Sequence, residues 1–99
     1  MNKGELIKQV ASTIGTTEKS VSVTLNTILE VITTAVADGD KVTLVGFGTF
    51  EARTRKEREG RNPQTGEPLI IPATTVPVFS PGKAFKGAVE EGVETQNAA

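Results

Sequence analysis

The sequence predicts an α+β fold: a helical hairpin, a three-stranded antiparallel sheet drawn out into a long β-ribbon arm, and a short C-terminal helix. Three observations predict it. Apolar residues recur at helical spacing as far as Val36, the period changes to two after Lys41, and beyond Ala52 the strand pattern continues while its apolar content disappears.

The first helix is set by Asn2 and Glu5, which have capping-box spacing, and by Leu6, Ile7, Val10, Ala11 and Ile14, until Gly15 stops it after about twelve residues. Thr17, with Glu18 in the first turn, opens a second helix. Its Val21, Leu25, Ile28, Leu29, Ile32, Ala35 and Val36 form a broad apolar stripe that ends at Asp38-Gly39. Thr and Val are mediocre helix formers, so this helix depends on covering its stripe rather than on propensity.

Val42 and Leu44, then Thr49-Phe50-Glu51-Ala52, read as strands joined through Val45-Gly46-Phe47-Gly48. Arg53-Thr54-Arg55-Lys56-Glu57-Arg58-Glu59-Gly60-Arg61 has nothing to bury and cannot belong to a core. Asn62-Pro63-Gln64-Thr65-Gly66 is a turn sequence, with Pro at the second position and Gly at a left-handed exit. Leu69-Ile70-Ile71 resumes an extended run, and Pro68, Pro72 and Pro77 confine it to edges, which is all a two-stranded ribbon has. Val76, Val78 and Phe79 return to the core. Ser80-Pro81 is expected to start the last helix, with Phe85 and Val89 on its apolar face, and residues 91–99 to form an acidic flexible tail after a domain of 1–90.

Without the arm (about 53–76) and the tail, the body holds roughly 65 residues, marginal for an independent core. Dimerisation supplies the missing burial. Leu29, Ile32, Val36, Leu44, Phe47, Phe50 and Phe79 are the expected dimer interface, with Phe85 beside them; the competing reading is that the four Phe simply fill a monomer core.

Zero Cys and zero His remove disulfides, thiolate sites, the commonest general base and the commonest metal ligand, so neither an enzyme nor a cofactor or metal site is expected. The start lacks a signal-peptide pattern, and no window reads as a membrane span, so a cytoplasmic location is expected. A net charge of −1 argues against nucleic acid at face value. Its distribution reverses that inference: residues 1–52 carry four Lys against six acids, 53–86 carry seven Lys/Arg against three Glu, and 87–99 carry three Glu alone. Segregation of this kind marks a binding surface more readily than a folding need.

Gly46-Phe47-Gly48-Thr49-Phe50, Gly60-Arg61-Asn62-Pro63-Gln64-Thr65-Gly66-Glu67, Ile71-Pro72-Ala73, and Val76-Pro77 through Phe79 with Gly82-Lys83 resemble the HU family of bacterial histone-like proteins. The resemblance runs without gaps from Met1 to about Val89. It implies an intertwined dimer whose arms embrace duplex DNA, bending it from the minor groove, the general mode of such architectural proteins. Arg61, Asn62 and Pro63 would form the DNA-binding tip, where Arg61 would enter the groove and Pro63, rigid and donor-free, would wedge between base pairs. Arg53, Arg55 and Arg58, with Lys3, Lys83 and Lys86, carry over as phosphate contacts that position without reading sequence. A nucleoid-associated homodimer with no small-molecule substrate and no membrane partner is expected.

Gln64, Pro68, Ile70 and Thr75 depart from the basic residues that relatives often carry, and Glu51, Glu57, Glu59 and Glu67 lie on or near the ribbon. Weaker, strongly salt-sensitive binding follows from fewer phosphate contacts. Four other readings find less support. Gly46-x-Gly48 is not a dinucleotide fingerprint, because position 51 is Glu and the segment joins two strands. Asp38/Asp40 and Glu90/Glu91 are explained by turn chemistry and solvation. Strand addition to a partner protein, suggested by Leu69-Ile70-Ile71, conflicts with the basic residues of 53–86. Single-stranded RNA lacks stacking platforms, since there is no Tyr or Trp. A sequence-preferring subunit of a heterodimer, like integration host factor, stays open.

Overall fold

Asn2 caps the first helix: its Oδ1 accepts a 2.9 Å hydrogen bond from the Glu5 backbone N–H. The helix, α1 (Lys3–Ile14), closes on Gly15 in the left-handed conformation, φ 72°, whose N–H reaches the Ala11 carbonyl. Helix α2 (Glu18–Ala37) begins after Thr17, whose hydroxyl accepts from Ser20 N–H at 3.1 Å. The hydroxyls of Thr24, Thr27 and Thr33 donate to the carbonyls of Ser20, Val23 and Leu29. This back-bonding explains how so many β-branched polar residues sit in one helix: their hydroxyls are satisfied locally and leave the apolar stripe clean.

The computed structural model describes residues 1–97 and divides into two compact units, residues 1–35 and 36–99. In the first, α1 and α2 enclose an apolar groove of about 290 Å³ lined by Leu6, Val10, Ile14, Val21, Leu25 and Ile28 among others. Only Ala11 and Val21 of this unit are buried, whereas Ile14, Ile28 and Leu29 stay 66%, 48% and 45% exposed. Helix α2 is also long and apolar enough, at a mean hydropathy of 1.4, to cross a bilayer, which corrects the expectation that no segment has that character. That character is one of length and composition only, since Glu30, Asn26 and six Ser/Thr interrupt its apolar surface.

The second unit carries all the strands: β1 (Val42–Leu44), β2 (Gly48–Arg55), β3 (Arg58–Arg61), β4 (Pro68–Ile71) and β5 (Thr74–Pro81). The first, second and fifth form a three-stranded antiparallel sheet in the order β1-β2-β5, and β3 pairs with β4. The β1–β2 turn is closed by Phe47 N–H on the Leu44 carbonyl, with Gly46 at φ 86°, the conformation its third position requires.

Register runs from Gly48↔Pro81 to Arg55↔Thr74 and resumes at Arg58↔Ile71 through Arg61↔Pro68. Two residues intervene on each side, Lys56-Glu57 and Pro72-Ala73, so the register carries through without a bulge. The ladder lapses where Pro72 has no N–H to donate. Because side chains alternate, Thr49, Glu51, Arg53, Arg55, Glu57, Glu59 and Arg61 share one face, and Phe50, Ala52, Thr54, Arg58 and Gly60 the other.

The four Phe form one cluster in this unit, with ring centroids 4.8 Å apart for Phe50–Phe79, 5.0 Å for Phe47–Phe85 and 5.4 Å for Phe47–Phe79. Gly48 lies beneath it; a Cβ there would fall 2.6 Å from the Phe79 ring. The expectation that Ser80-Pro81 opens the last helix is corrected: both end β5, because they pair with Thr49 and Gly48. Helix α3 runs Lys83–Asn97, so the backbone continues in helix well past position 90, where a tail was expected to start; residues 98–99 lie outside the described residues.

Candidate nucleic-acid interface

The arm tip is held by Asn62. Its N–H donates to the Glu67 carbonyl (2.9 Å), its carbonyl accepts from Gly66 N–H (2.7 Å), and its Oδ1 accepts from Gln64 N–H (2.9 Å). Gly66 supplies the left-handed exit at φ 73°. The Thr65 hydroxyl accepts from Glu67 N–H. Asn62 is expected as a DNA-binding residue of the tip together with Arg61 and Pro63; the structure adds an organising role, through an Asx turn that Asn before Pro signals. Pro63 is exposed.

Behind the tip, Arg61 faces Pro68 across the ladder, on the face that also bears Ile70, which is 65% exposed. Gly60 faces Leu69, and a Cβ at Gly60 would meet the Ile71 side chain at 3.1 Å, so a side chain at position 60 would crowd the arm as well as thicken it. From Arg53 to Arg61 the arm advances about 26 Å at roughly 3.3 Å per residue, enough to follow a groove.

Arg53, Arg55, Arg58 and Arg61 are all exposed. Arg55, Arg58 and Arg61 make no ion pair among the described residues, whereas Arg53 does. Its Nη2 lies 2.8 Å and its Nε 2.9 Å from Glu51 Oε1, and Lys41 Nζ lies 3.3 Å from the other Glu51 oxygen. The Arg53 guanidinium first, and the Lys41 ammonium with it, hold the Glu51 carboxyl below its ordinary value. The charge count places Glu51 on or near the ribbon but not in a pair; the i, i+2 spacing of Glu51 and Arg53 on one strand face is the signal that points to the pairing.

Lys83 and Lys86 stand in the first turn of α3, which has no acidic residue there. Cations at the positive end of a helix dipole are unfavourable for the helix, and the same end attracts an anion, so the pair suits a phosphate better than it suits stability. They line a shallow hollow with Pro81, Gly87 and Glu90. Lys3 opens α1 in the other unit.

Of the expected interface residues, Leu29, Leu44, Phe47 and Phe79 are exposed at 45%, 40%, 43% and 37%, Ile32 and Phe50 are half-buried, and Val36 is buried within its own chain. The Phe cluster is thus formed within one chain yet open on one side. Among the described residues no group of His, Cys, Asp and Glu could hold a metal ion.

The bacterial DNA-binding protein family model matches residues 1–90. The DNA-binding protein HU of Nostoc sp. is 57% identical over 89 residues, covering 90% of this chain and 95% of the relative. That of Geobacillus stearothermophilus is 53% identical over 90 residues, covering 91% and 100%. Among solved structures, Anabaena HU in a cocrystal with DNA superposes with a TM-score of 0.83 at 57% identity, covering 90% of this chain and 97% of that one. HU from Thermotoga maritima gives 0.65 at 43% identity, covering 90% and 98%. The continuous arm register, the glycine-gated Phe cluster and these likenesses agree, and the chain belongs to the HU family of bacterial DNA-binding proteins.

Proposed function

We infer that the chain is an architectural, nucleoid-associated DNA-binding protein: a homodimer that binds duplex DNA with low sequence specificity and bends it from the minor groove. The carrying observation is the arm tip, where three hydrogen bonds centred on Asn62 present an exposed, rigid Pro63 next to Arg61. A wedge works only if it is stiffer than the stack it enters; the closed turn supplies that stiffness, and unstacking costs a few kcal/mol that the wrapped arm offsets. The relative crystallised with DNA supports the same partner.

The phosphate contacts are assigned to Arg55, Arg58, Lys83, Lys86 and Lys3, with Arg53 available in competition with Glu51. None of these reads a base edge, hence the low specificity. The dimer is supported by the large apolar side chains that one chain leaves exposed on both units. A cytoplasmic location follows from the nucleoid as its site of action. Enzyme chemistry finds no support in a chain without His or Cys.

The test is a gel shift on intact and nicked duplexes with Arg61→Ala and Pro63→Ala. Loss of affinity for both duplexes in the first variant and weaker binding to the nicked duplex in the second are expected. Wild-type behaviour in both variants would remove the arm from the mechanism.

A further inference from the structure

Three side chains on the polar face of the sheet meet at one carboxylate. Glu51 and Arg53 are two residues apart on β2 and share a face; Lys41 precedes β1 by one residue, and in the continued register (Val42↔Phe50) it stands opposite position 51. Both oxygens of Glu51 are engaged, one by the Nε and Nη2 edge of Arg53 and the other by Lys41. The Glu51 side chain is only 20% exposed, against 58% for Arg53 and 63% for Lys41, so the carboxylate sits beneath two cations. Two residues further toward the tip on the same face, Arg55 has no carboxylate partner among the described residues.

We propose that Glu51 is an attenuator of DNA affinity: it withholds the body-side cations Lys41 and Arg53 from the phosphate backbone and shifts binding onto the arm. The proposal rests on the DNA-binding reading above. The physical basis is competition. A phosphate reaching this face must share an Arg53 fork whose best-aligned edge is already taken, and it meets a half-buried negative charge behind two exposed positive ones. The cluster therefore offers DNA a net charge of +1 where the two cations alone would offer +2. Counterion release counts phosphates neutralised, so a masked cation is missing from the salt dependence as well as from the affinity. At neutral pH the carboxyl stays ionised, consistent with its lowered protonation range, and the mask is permanent.

Glu51→Gln tests this with little structural change, since the amide keeps the shape of the side chain and its pairing position opposite Val78. Affinity for a fixed duplex is measured by fluorescence anisotropy between about 50 and 200 mM salt, the range over which phosphate contacts weigh most. The expected result is tighter binding at low salt and a log K against log salt slope steeper by about 0.9 for each cation released per dimer. Arg53→Ala supplies the second readout: a small change of slope in the wild-type chain and a larger one in the Glu51→Gln chain. A purely structural role for Glu51 would not produce that non-additivity. Unchanged or shallower slope in Glu51→Gln, or equal effects of Arg53→Ala in both backgrounds, overturns the proposal. Those outcomes would leave DNA binding itself standing, whereas a wild-type chain without measurable duplex affinity would overturn the functional reading first.

Discussion

Replacing Gly48 by Ala adds one methyl group at the point where the sheet meets the Phe cluster. The added Cβ would lie 2.6 Å from Cε1 and Cζ of Phe79 and 2.7 Å from the Ser80 carbonyl oxygen, against 3.4–4 Å for ordinary van der Waals separation. The oxygen cannot retreat, because Ser80 pairs with Thr49 in the ladder. The ring cannot swing freely either, because Phe47, Phe50 and Phe85 surround it at centroid distances of 5.4, 4.8 and 6.0 Å. Overpacking of this sort costs about 1–3 kcal/mol. For a domain of this size each kcal/mol lowers Tm by roughly 4–8 °C, so a drop of about 4 °C at the least is expected. Circular dichroism melts must be run at one protomer concentration, since the Tm of a dimer depends on it. Gly87→Ala is the control of opposite sign: nothing lies within 4 Å of a Cβ there, and α3 gains a better helix former. A stabilisation of about 0.4–1 kcal/mol is expected from the stiffer unfolded chain. A Gly48→Ala protein that melts with the wild type would show that the cluster does not depend on that glycine.

Three further outcomes follow from the same geometry. Asn62→Ala keeps both backbone bonds of the tip but loses the acceptor for Gln64 N–H, so affinity for nicked duplex should fall by the equivalent of about 1 kcal/mol while the Tm holds; a fall in Tm with unchanged affinity would contradict the wedge-stiffening role. Arg55→Ala should weaken binding equally on unrelated duplexes and reduce the salt slope by about 0.9 for each phosphate that the arginine no longer neutralises, and sequence-dependent effects would argue for base readout instead. Glu51 has a lowered folded pKa, so its contribution to stability is present above the ordinary value of 4.5 and disappears as pH falls through the lower folded value. Urea titrations should accordingly show Glu51→Gln less stable than wild type near neutrality, with the difference closing below pH 4.5. A gap that persists unchanged in acid would mean that the ion pairs are not its cause.

Most of the architecture was legible because local signals and the global fold agree. Asn2, Gly15 and Thr17 bound the first helix and open the second where their chemistry predicts, Gly66 takes the left-handed exit assigned to it, and Gly46 sits in the tight turn expected of its segment. The last helix was misplaced for a definable reason: Ser80-Pro81 has helix-start chemistry, but both residues were already committed as the partners of Thr49 and Gly48 in the ladder. Its length was missed because the segment after Val89 has few apolar residues to mark a helical period. The membrane-like character of α2 was overlooked because its threonines read as polar, while their hydroxyls in the fold are turned back onto the helix.

For the candidate interface, the arm and its tip were readable from charge segregation and turn chemistry, since nothing from Arg53 to Arg61 can be buried. What could not be read was pairwise. Whether Arg53 is free or held depends on an oxygen 2.8 Å away, and the structural duty of Asn62 depends on a turn closing around it. Composition counts charges; only geometry tells which of them remain available.

The most direct measurement is the bend itself. A duplex carrying fluorophores at its two ends is titrated with wild-type and Pro63→Ala protein at low salt, and the end-to-end energy transfer is compared at saturation. A wedge at Pro63 predicts that the variant still binds through its arginines and lysines but leaves the ends of the duplex markedly farther apart. Equal energy transfer at saturation in the two proteins would contradict bending by intercalation at the arm tip.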